Sequence, residues 1–317
     1  MKRRAVAPLV LTAVLVSVLP GSVLAQTAPV ATFKAGAEAV TLSVAVRDSH
    51  GRVVRDLTQS QFDVVDSGAP AKIRDFYAGV APISLAVLLD ISGSMAVAGN
   101  IDRARHAVDV AMGMLNGGDD EAALFTFDSK LVEVVPFTKN LDRIRRVSLE
   151  GKPWGITSLY DAVAGAANSV GDRTNRHRAL LVITDGVDTG SRLTAPEVSG
   201  IASSIDVPVY LLTVVSPLDH PGGEYSVVKA DDATNSTATL AELSWWTGGD
   251  MRVASAPAHT VTAIQDLFAE IRYQYLISFD PGARPGWHPL EVRVRNKNLI
   301  VHARSGYVAG PARGEDQ

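Results

Sequence analysis

Two apolar runs of the sequence end in an aspartate, a side chain that can bind a cation. The run from Leu85 to Leu89 ends at Asp90, and serines follow at Ser92 and Ser94. The other run, "LLVIT", ends at Asp185. A carboxylate at the end of a buried strand costs free energy unless it accepts hydrogen bonds or meets a cation. These residues are therefore candidates for a polar site built from oxygen atoms.

The spacing and type of these residues favour a site for a hard metal ion. Asp90, Ser92 and Ser94 occupy every second position, so an extended or turning segment directs their side chains to one side. Thr157, in "GITSLYDAV", stands just before a helical pattern, where a hydroxyl also commonly caps a helix. Carboxylate and hydroxyl oxygens suit Mg²⁺, with Mn²⁺ or Ca²⁺ possible, and they do not suit zinc or copper. The alternative is that each motif is only a turn in which hydroxyls bond backbone groups.

Continuous apolar runs alternate with helical patterns in the middle of the chain. The runs "SLAVLLD", "EAALFTF", "ALLVITD" and "VPVYLLTVV" are typical of central strands covered on both faces. Between them, apolar residues from Ile101 to Leu115 and from Leu159 to Val170 fall on one helical face. This alternation predicts an α/β fold with a doubly wound, mostly parallel, Rossmann-like sheet. Ligands bind beyond the carboxyl ends of such strands, which is where Asp90 and Asp185 fall.

Strand patterns precede and follow this α/β part. Leu42, Val44 and Val46 alternate with small or polar residues, and a strand pattern returns after Gln274. Each β part alone is too small for a good core, so the N- and C-terminal strands are expected to pair into one small β-sandwich. The expected domain bounds are 26–81 for the N-terminal strands, 82–273 for the α/β domain, 274–309 for the C-terminal strands and 310–317 for a disordered tail.

The N-terminus has the features of a secretory signal peptide. Lys2, Arg3 and Arg4 precede an apolar run, and Ala25 ends a pattern of small residues, so residues 1–25 are expected to be removed. The run is shorter than the roughly 20 residues that span a membrane, and an uncleaved anchor is the alternative. We expect the mature chain to have no membrane span and to be periplasmic or secreted.

Composition excludes several other classes of function. The sequence has no cysteine, which excludes disulfides and thiolate metal sites. The histidines show no zinc-binding spacing, and His177 is expected at the surface. Asp119 and Asp120 are expected as a solvated loop pair rather than a catalytic dyad. The formal net charge of −4 argues against nucleic acid or an anionic membrane as the partner.

Together, the polar motifs resemble the von Willebrand factor type A domain. The Asp-x-Ser-x-Ser pattern at Asp90, Ser92 and Ser94, followed by Thr157 and by Asp185, matches the order of the metal-ion-dependent adhesion site of that family. The resemblance implies that the serines and the threonine bind the metal directly, and that the aspartates bind it directly or through water. The flanking segments resemble a bacterial exported group described as von Willebrand factor A-related proteins of acidobacterial type.

The resemblance implies an exported binding module, not an enzyme, that captures a partner's Asp or Glu carboxylate through Mg²⁺. Ile156 stands where relatives commonly carry a glycine, which changes the loop but removes no ligand. The insertion from Pro217 to Asn235 is a candidate for specificity, and Asp188 is expected in a loop close enough to tune the site. A scaffold with a structural or degenerate metal site is the alternative. A Mg²⁺-dependent phosphotransferase is less favoured, because Ser92 occupies the position where such enzymes need a second aspartate.

Overall fold

The computed structural model describes residues 39–147, 152–186, 188–217, 226–227 and 235–309. The predicted signal peptide and tail, and most of the insertion from Pro217 to Asn235, lie outside the described residues. The strands are β1 (Val40–Arg47), β2 (Phe62–Asp66), β3 (Ala69–Ala71), β4 (Ile73–Tyr77), β5 (Ile83–Asp90), β6 (Glu121–Phe127), β7 (Leu131–Thr138), β8 (His177–Thr184), β9 (Val209–Val214), β10 (Ser226–Val227), β11 (Met251–Ala254), β12 (Tyr275–Phe279), β13 (Gly286–Val294), β14 (Ile300–His302) and β15 (Gly306–Ala309). The α-helices are α1 (Asn100–Met114), α2 (Asp142–Arg145), α3 (Leu159–Gly171), α4 (Ala195–Ser204), α5 (Asn235–Trp246) and α6 (Pro257–Arg272), and the segments Gln59–Gln61 and Gly93–Gly99 are 3-10 helices.

The central sheet has seven strands in the order β10-β11-β9-β8-β5-β6-β7. The five central strands, β11, β9, β8, β5 and β6, run parallel to one another, whereas β7 and β10 are antiparallel strands at the two edges. β5 lies between β8 and β6, and every one of its residues is buried. This architecture confirms the predicted mostly parallel α/β sheet.

Helices cover both faces of the central sheet, which makes it doubly wound. On one face, α1 and α6 share a core with alternate residues of β5 such as Leu85 and Val87. On the opposite face, α3, α4 and α5 share a core with the intervening residues Ala86 and Leu88. Successive side chains of a strand point to opposite faces, so a strand covered on both sides reads as an unbroken apolar run.

Strands from the two ends of the chain interleave in a small β-sandwich, as predicted. One sheet has the order β14-β1-β12-β4, and the other has the order β15-β13-β2-β3. The two sheets share an apolar core that includes Leu42, Phe62 and Ile277. Because β1 pairs with β12 and β2 pairs with β13, neither the N-terminal nor the C-terminal segment forms a sheet of its own.

The expectation of solvent exposure is wrong for two side chains. His177 begins β8 and lies opposite Ile83 of β5, so it is buried, and burial lowers its pKa to about 4. Asp120 is also buried; it accepts a hydrogen bond from the Ile83 amide at 2.9 Å and pairs with Arg272 at 2.8 Å. Both corrections have one reason, which is that strand pairing and helix packing cover the start of the inner strands.

Within the part of the chain that the structure describes, no helix combines the length and the apolar character needed to cross a membrane.

Candidate metal site

The predicted site lies where β5 and β8 end side by side. The two strands are parallel neighbours, and Leu89 pairs with Ile183, so the last residues of both strands lie at one edge of the sheet. Asp90 ends β5 and is completely buried, and the Thr184 hydroxyl at the end of β8 donates to Asp90 Oδ2 at 2.6 Å. Asp185 follows directly after β8 and is partly exposed.

The segment after β5 brings both serines to the aspartates. The Ser92 amide donates to Asp90 Oδ1 at 2.8 Å, which turns the chain back over the strand end. Ser92 Oγ and Ser94 Oγ lie 3.1 Å apart, and Ser94 Oγ donates to Asp185 Oδ1 at 3.1 Å. A chain of hydrogen bonds therefore connects four of the five predicted residues. Asp90 and Ser92 are buried, whereas Ser94 is exposed, so solvent reaches the cluster from the side of Ser94.

Thr157 joins the cluster through backbone contacts of its loop, just before α3. The Gly93 amide donates to the Gly155 carbonyl at 3.1 Å, which holds this loop against the serine segment. The Thr157 amide donates to Thr189 Oγ1 at 3.0 Å, and the Thr189 amide donates back to the Thr157 carbonyl at 2.9 Å. Thr157 is thereby buried between the segment that follows Asp90 and the loop that follows Asp185.

Both aspartates carry a raised pKa. Burial raises the pKa of Asp90 from 3.8 to about 6, although hydrogen bonds from Thr184 and Ser92 act in the opposite direction. Burial also raises the pKa of Asp185, opposed by hydrogen bonds from Ser94 and Asn100. The negative charge of Asp185 further disfavours ionisation of Asp90. A nearby divalent cation would reverse this balance, since it favours the ionised form of both carboxyls.

Among the residues that the structure describes, Asp90 differs from the other buried acidic side chains because it has no arginine or histidine partner. The others all form ion pairs: Asp66 with His288, Asp120 with Arg272, Glu121 with Arg173, Asp206 with Arg304, and Asp250 and Glu270 with Arg47. Buried charges are normally paired or bound to metal ions. An oxygen-only cluster with two carboxylates and no internal cation fits a hard divalent ion.

Asp188 lies in the loop after β8 and is hydrogen-bonded to the start of α3. Its Oδ1 accepts hydrogen bonds from the Leu159 amide at 2.8 Å and from Ser191 Oγ at 2.6 Å. It therefore caps the first turn of α3 and ties that helix to the loop after β8, next to Thr189. This cap positions the loop of Thr157 and is not visible from the spacing of the motif alone.

The sequence reasoning did not single out Thr184, Asn100 or Thr189, although all three contact predicted site residues. Thr184 bonds Asp90, Asn100 bonds Asp185, and Thr189 bonds the Thr157 backbone. For Thr184 a signal was available, because it is a polar residue at the end of an apolar run. Asn100 and Thr189 are identified only by their contacts.

Another group of potential ligands lies between the sandwich and the α/β domain. One ligand atom from each of Asp250, Glu270 and His302 lies within 4.8 Å of the others, and all three residues are buried. However, Arg47 forms ion pairs with both carboxylates, and Arg252 pairs with Asp250. Guanidinium groups already supply the positive charge here, so this is an internal ionic network rather than a cation site.

Comparisons with solved structures found several proteins that are similar to this chain. A protein described as von Willebrand factor type A from Catenulispora acidiphila is 10% identical, with 88% of this chain and 74% of that chain covered and a TM-score of 0.46. An aerotolerance-related membrane protein from Bacteroides fragilis NCTC 9343 is 19% identical, with 60% and 98% covered and a TM-score of 0.44. The D319A mutant of the PilB minor pilin from Streptococcus sanguinis is 14% identical, with 61% and 62% covered and a TM-score of 0.44. A search among curated proteins gave no match.

The family comparison covers the part of the chain that carries most of the site. Residues 85–187 match the family model of the von Willebrand factor type A domain. The matched range includes Asp90, Ser92, Ser94, Thr157 and Asp185, and it extends from within β5 to just beyond β8. Residues 85–187 of the chain are therefore similar to the von Willebrand factor type A domain.

Proposed function

We propose that this protein is an exported binding module that captures an Asp or Glu carboxylate of a protein partner through a divalent cation. The similarity of residues 85–187 to the von Willebrand factor type A domain supports a role in protein interaction. The proposal adds the cation, Mg²⁺ with Mn²⁺ or Ca²⁺ as alternatives, and its ligands Asp90, Ser92, Ser94, Thr157 and Asp185. It also adds export after removal of residues 1–25.

The proposal rests on the burial of the Asp90 carboxylate without an ion-pair partner. This carboxylate lies at the carboxyl edge of a parallel sheet, where ligands bind in this class of fold. It has no cationic side chain beside it within the described residues, whereas the other buried acids have one. A bound cation would supply the missing positive charge.

The composition of the site explains why a partner carboxylate would be attracted. Mg²⁺ requires about six oxygen ligands and gives up its water slowly. The proposed protein ligands include three neutral hydroxyls, at Ser92, Ser94 and Thr157, and two carboxylates that only balance the charge of the ion. Since the cluster opens to solvent on the side of Ser94, a carboxylate from outside has access to a remaining coordination position.

A scaffold with a structural or degenerate metal site is the second candidate. In that case the sandwich, which is joined to the α/β domain by the buried pairs of Arg47 with Asp250 and Glu270, would mediate assembly. Metal removal separates the two functions. Under the binding function, EDTA abolishes partner capture while the fold persists. Under the scaffold function, partner binding does not depend on the metal, and EDTA only lowers the stability of the fold.

Calorimetry on the mature chain, residues 26–317, tests the metal site directly. Metal is stripped with EDTA, and Mg²⁺ and Mn²⁺ are titrated into the wild type, Asp90→Ala, Ser92→Ala and the control Asp63→Ala. Asp63 is exposed on β2 of the sandwich and carries the same charge as Asp90. We expect saturable one-site binding that disappears in Asp90→Ala and Ser92→Ala and is retained in Asp63→Ala. If the folded wild type binds neither ion, the proposed metal-dependent function is wrong.

A further inference from the structure

Large apolar side chains are exposed to solvent on two segments, the one that carries Ser92 and Ser94 and the one that carries Thr157. Val97 is 63% exposed, Trp154 is 82% exposed and Ile156 is 50% exposed. We call these three residues the apolar rim. Single exposed apolar residues are common on proteins, whereas a group of them on segments that border one site, especially with a tryptophan, marks an interaction surface.

Trp154 is held in place by its backbone although its ring is exposed. Its amide donates to the Ile91 carbonyl at 3.0 Å, one residue after Asp90. The next residue, Gly155, accepts from the Gly93 amide at 3.1 Å. These two bonds fix the backbone of Trp154 beside the segment between Asp90 and Ser94. With its backbone fixed, only the two side-chain torsions of Trp154 have to be ordered on binding, and tryptophan is frequent at binding hot spots.

Ile156 and Val97 extend this surface along both segments. Ile156 immediately precedes Thr157, and its side chain lies over Gly190, where an added Cβ would clash with it. Val97 follows Ser94 by three residues in the segment Gly93–Gly99, where its extended backbone interrupts the 3-10 helix. Met95 in the same segment is completely buried, so the segment is anchored in the core while Val97 faces solvent.

The location of the apolar rim determines what would cover it. Solvent reaches the polar cluster from the side of Ser94, and the rim residues lie on the segments that hold Ser92, Ser94 and Thr157. A protein segment that delivers a carboxylate to the cluster therefore also lies against the rim. Apolar side chains next to the carboxylate would gain free energy by burying this surface.

We propose that the apolar rim selects protein segments in which an Asp or Glu is flanked by a large aliphatic or aromatic residue. This inference rests on the proposed metal-dependent capture of a carboxylate and adds the neighbouring residue that the partner must carry. The cation provides attraction for any acidic residue, and the rim provides the preference among them. Loss of an aromatic anchor at such a surface lowers affinity by roughly tenfold or more.

Selection from a phage-displayed library of random dodecapeptides tests the preference. The library is panned on the immobilised mature chain in Mg²⁺ and eluted with EDTA, in parallel for the wild type, Trp154→Ala and Trp287→Ala. Trp287 is an exposed tryptophan of β13 in the sandwich, 46% exposed, and serves as the matched control. We expect the wild type and Trp287→Ala to select an acidic residue with an apolar neighbour. Trp154→Ala should select acidic residues without that neighbour.

Affinity measurements with one selected peptide complete the test. Trp154→Ala should bind it roughly tenfold or more weakly than the wild type, with unchanged Mg²⁺ affinity in calorimetry, whereas Trp287→Ala should bind it normally. An acidic consensus that lacks apolar neighbours, or that is the same for Trp154→Ala, overturns the rim inference alone. Mg²⁺ binding without any EDTA-released peptide overturns carboxylate capture as well. Binding of the wild type, but not Trp154→Ala, to phosphatidylcholine–phosphatidylglycerol vesicles would assign the rim to membranes and also overturn the inference.

Discussion

Replacement of Asp90 by Asn is expected to stabilise the metal-free protein while abolishing metal binding. Burial raises the pKa of Asp90 from 3.8 to about 6, so ionisation of this carboxyl opposes folding above the unfolded pKa. At roughly 1.4 kcal/mol for each pKa unit, the cost at neutral pH is about 3 kcal/mol. Asn removes the charge, and the full cost with it.

Part of this gain is offset by a lost hydrogen bond. The Asp90 carboxylate accepts from the Ser92 amide and from the Thr184 hydroxyl, whereas Asn has one acceptor oxygen. If the Asn side-chain oxygen faces the Ser92 amide, the Asn side-chain NH₂ faces Thr184 Oγ1. The Thr184 hydroxyl would then have to rotate and accept a hydrogen bond instead of donating one. This rearrangement costs about 1 kcal/mol. The net expectation is a stabilisation of about 2 kcal/mol in the absence of metal.

The gain depends on pH in a defined direction. Because the folded pKa of Asp90 lies above the unfolded value, the folded state holds the proton more tightly and stability falls as pH rises between the two values. The cost is absent below the unfolded pKa and complete above the folded pKa of about 6. The advantage of Asp90→Asn should therefore be largest near about pH 8 and vanish or reverse near about pH 4.

Urea unfolding in EDTA at those two pH values measures the effect, with Asp63→Asn as an exposed control of the same charge change. Excess Mg²⁺ should reverse the order at pH above the folded pKa, since only the wild type gains stability from the bound ion. A variant that is less stable than the wild type at about pH 8 in EDTA would refute the reasoning. A stability difference that does not change with pH would also refute it, because Asp90 would then not be a buried carboxyl with a raised pKa.

Three further perturbations have defined outcomes. Arg47→Met should lower the free energy of unfolding by about 3–5 kcal/mol in urea, because it leaves Glu270 charged and buried. Adding Glu270→Leu should restore part of the lost stability, and no restoration would contradict the ion pair. Asp188→Ala should cost about 1 kcal/mol by uncapping α3 but leave Mg²⁺ binding detectable in calorimetry. Complete loss of binding would contradict a role limited to positioning the Thr157 loop. Hydrogen bonds to a backbone carbonyl and to Asp66 raise the pKa of His288. Thermal stability should therefore fall as pH rises through that pKa, and a His288→Gln variant should lack this dependence on pH.

Local pattern was sufficient to predict the fold class of this protein. Runs such as Leu85–Leu89 are apolar at every position because both faces of their strands are covered, and helical spacing between the runs identified α1 and α3. The small sandwich was predictable because neither flanking segment alone has enough strands for a core. The strand and helix patterns behind both predictions depend on residues that are near one another in sequence.

The proximity of Asp90 and Asp185 was also predictable, because parallel strands present their carboxyl ends at one edge. This rule predicted that Asp90 and Asp185, at the ends of two separate apolar runs, lie close together. It did not identify Thr184 and Thr189, which hold Asp90 and the Thr157 loop through hydrogen bonds. Thr184 is at least recognisable as a polar residue at the end of an apolar run, whereas Thr189 is defined only by its contact with the Thr157 loop.

The tertiary structure alone decided which charges are paired. Asp120 and Arg272 are 152 residues apart in sequence and form a buried ion pair, and His177 is buried where exposure was expected. The sequence specified that Asp90 ends a buried strand, but its lack of an arginine or histidine partner within the described chain is a property of the packed molecule. Burial and ion pairing depend on residues that only the fold brings within a few ångströms of one another. Strand and helix periodicity, in contrast, is determined by residues that are neighbours in sequence.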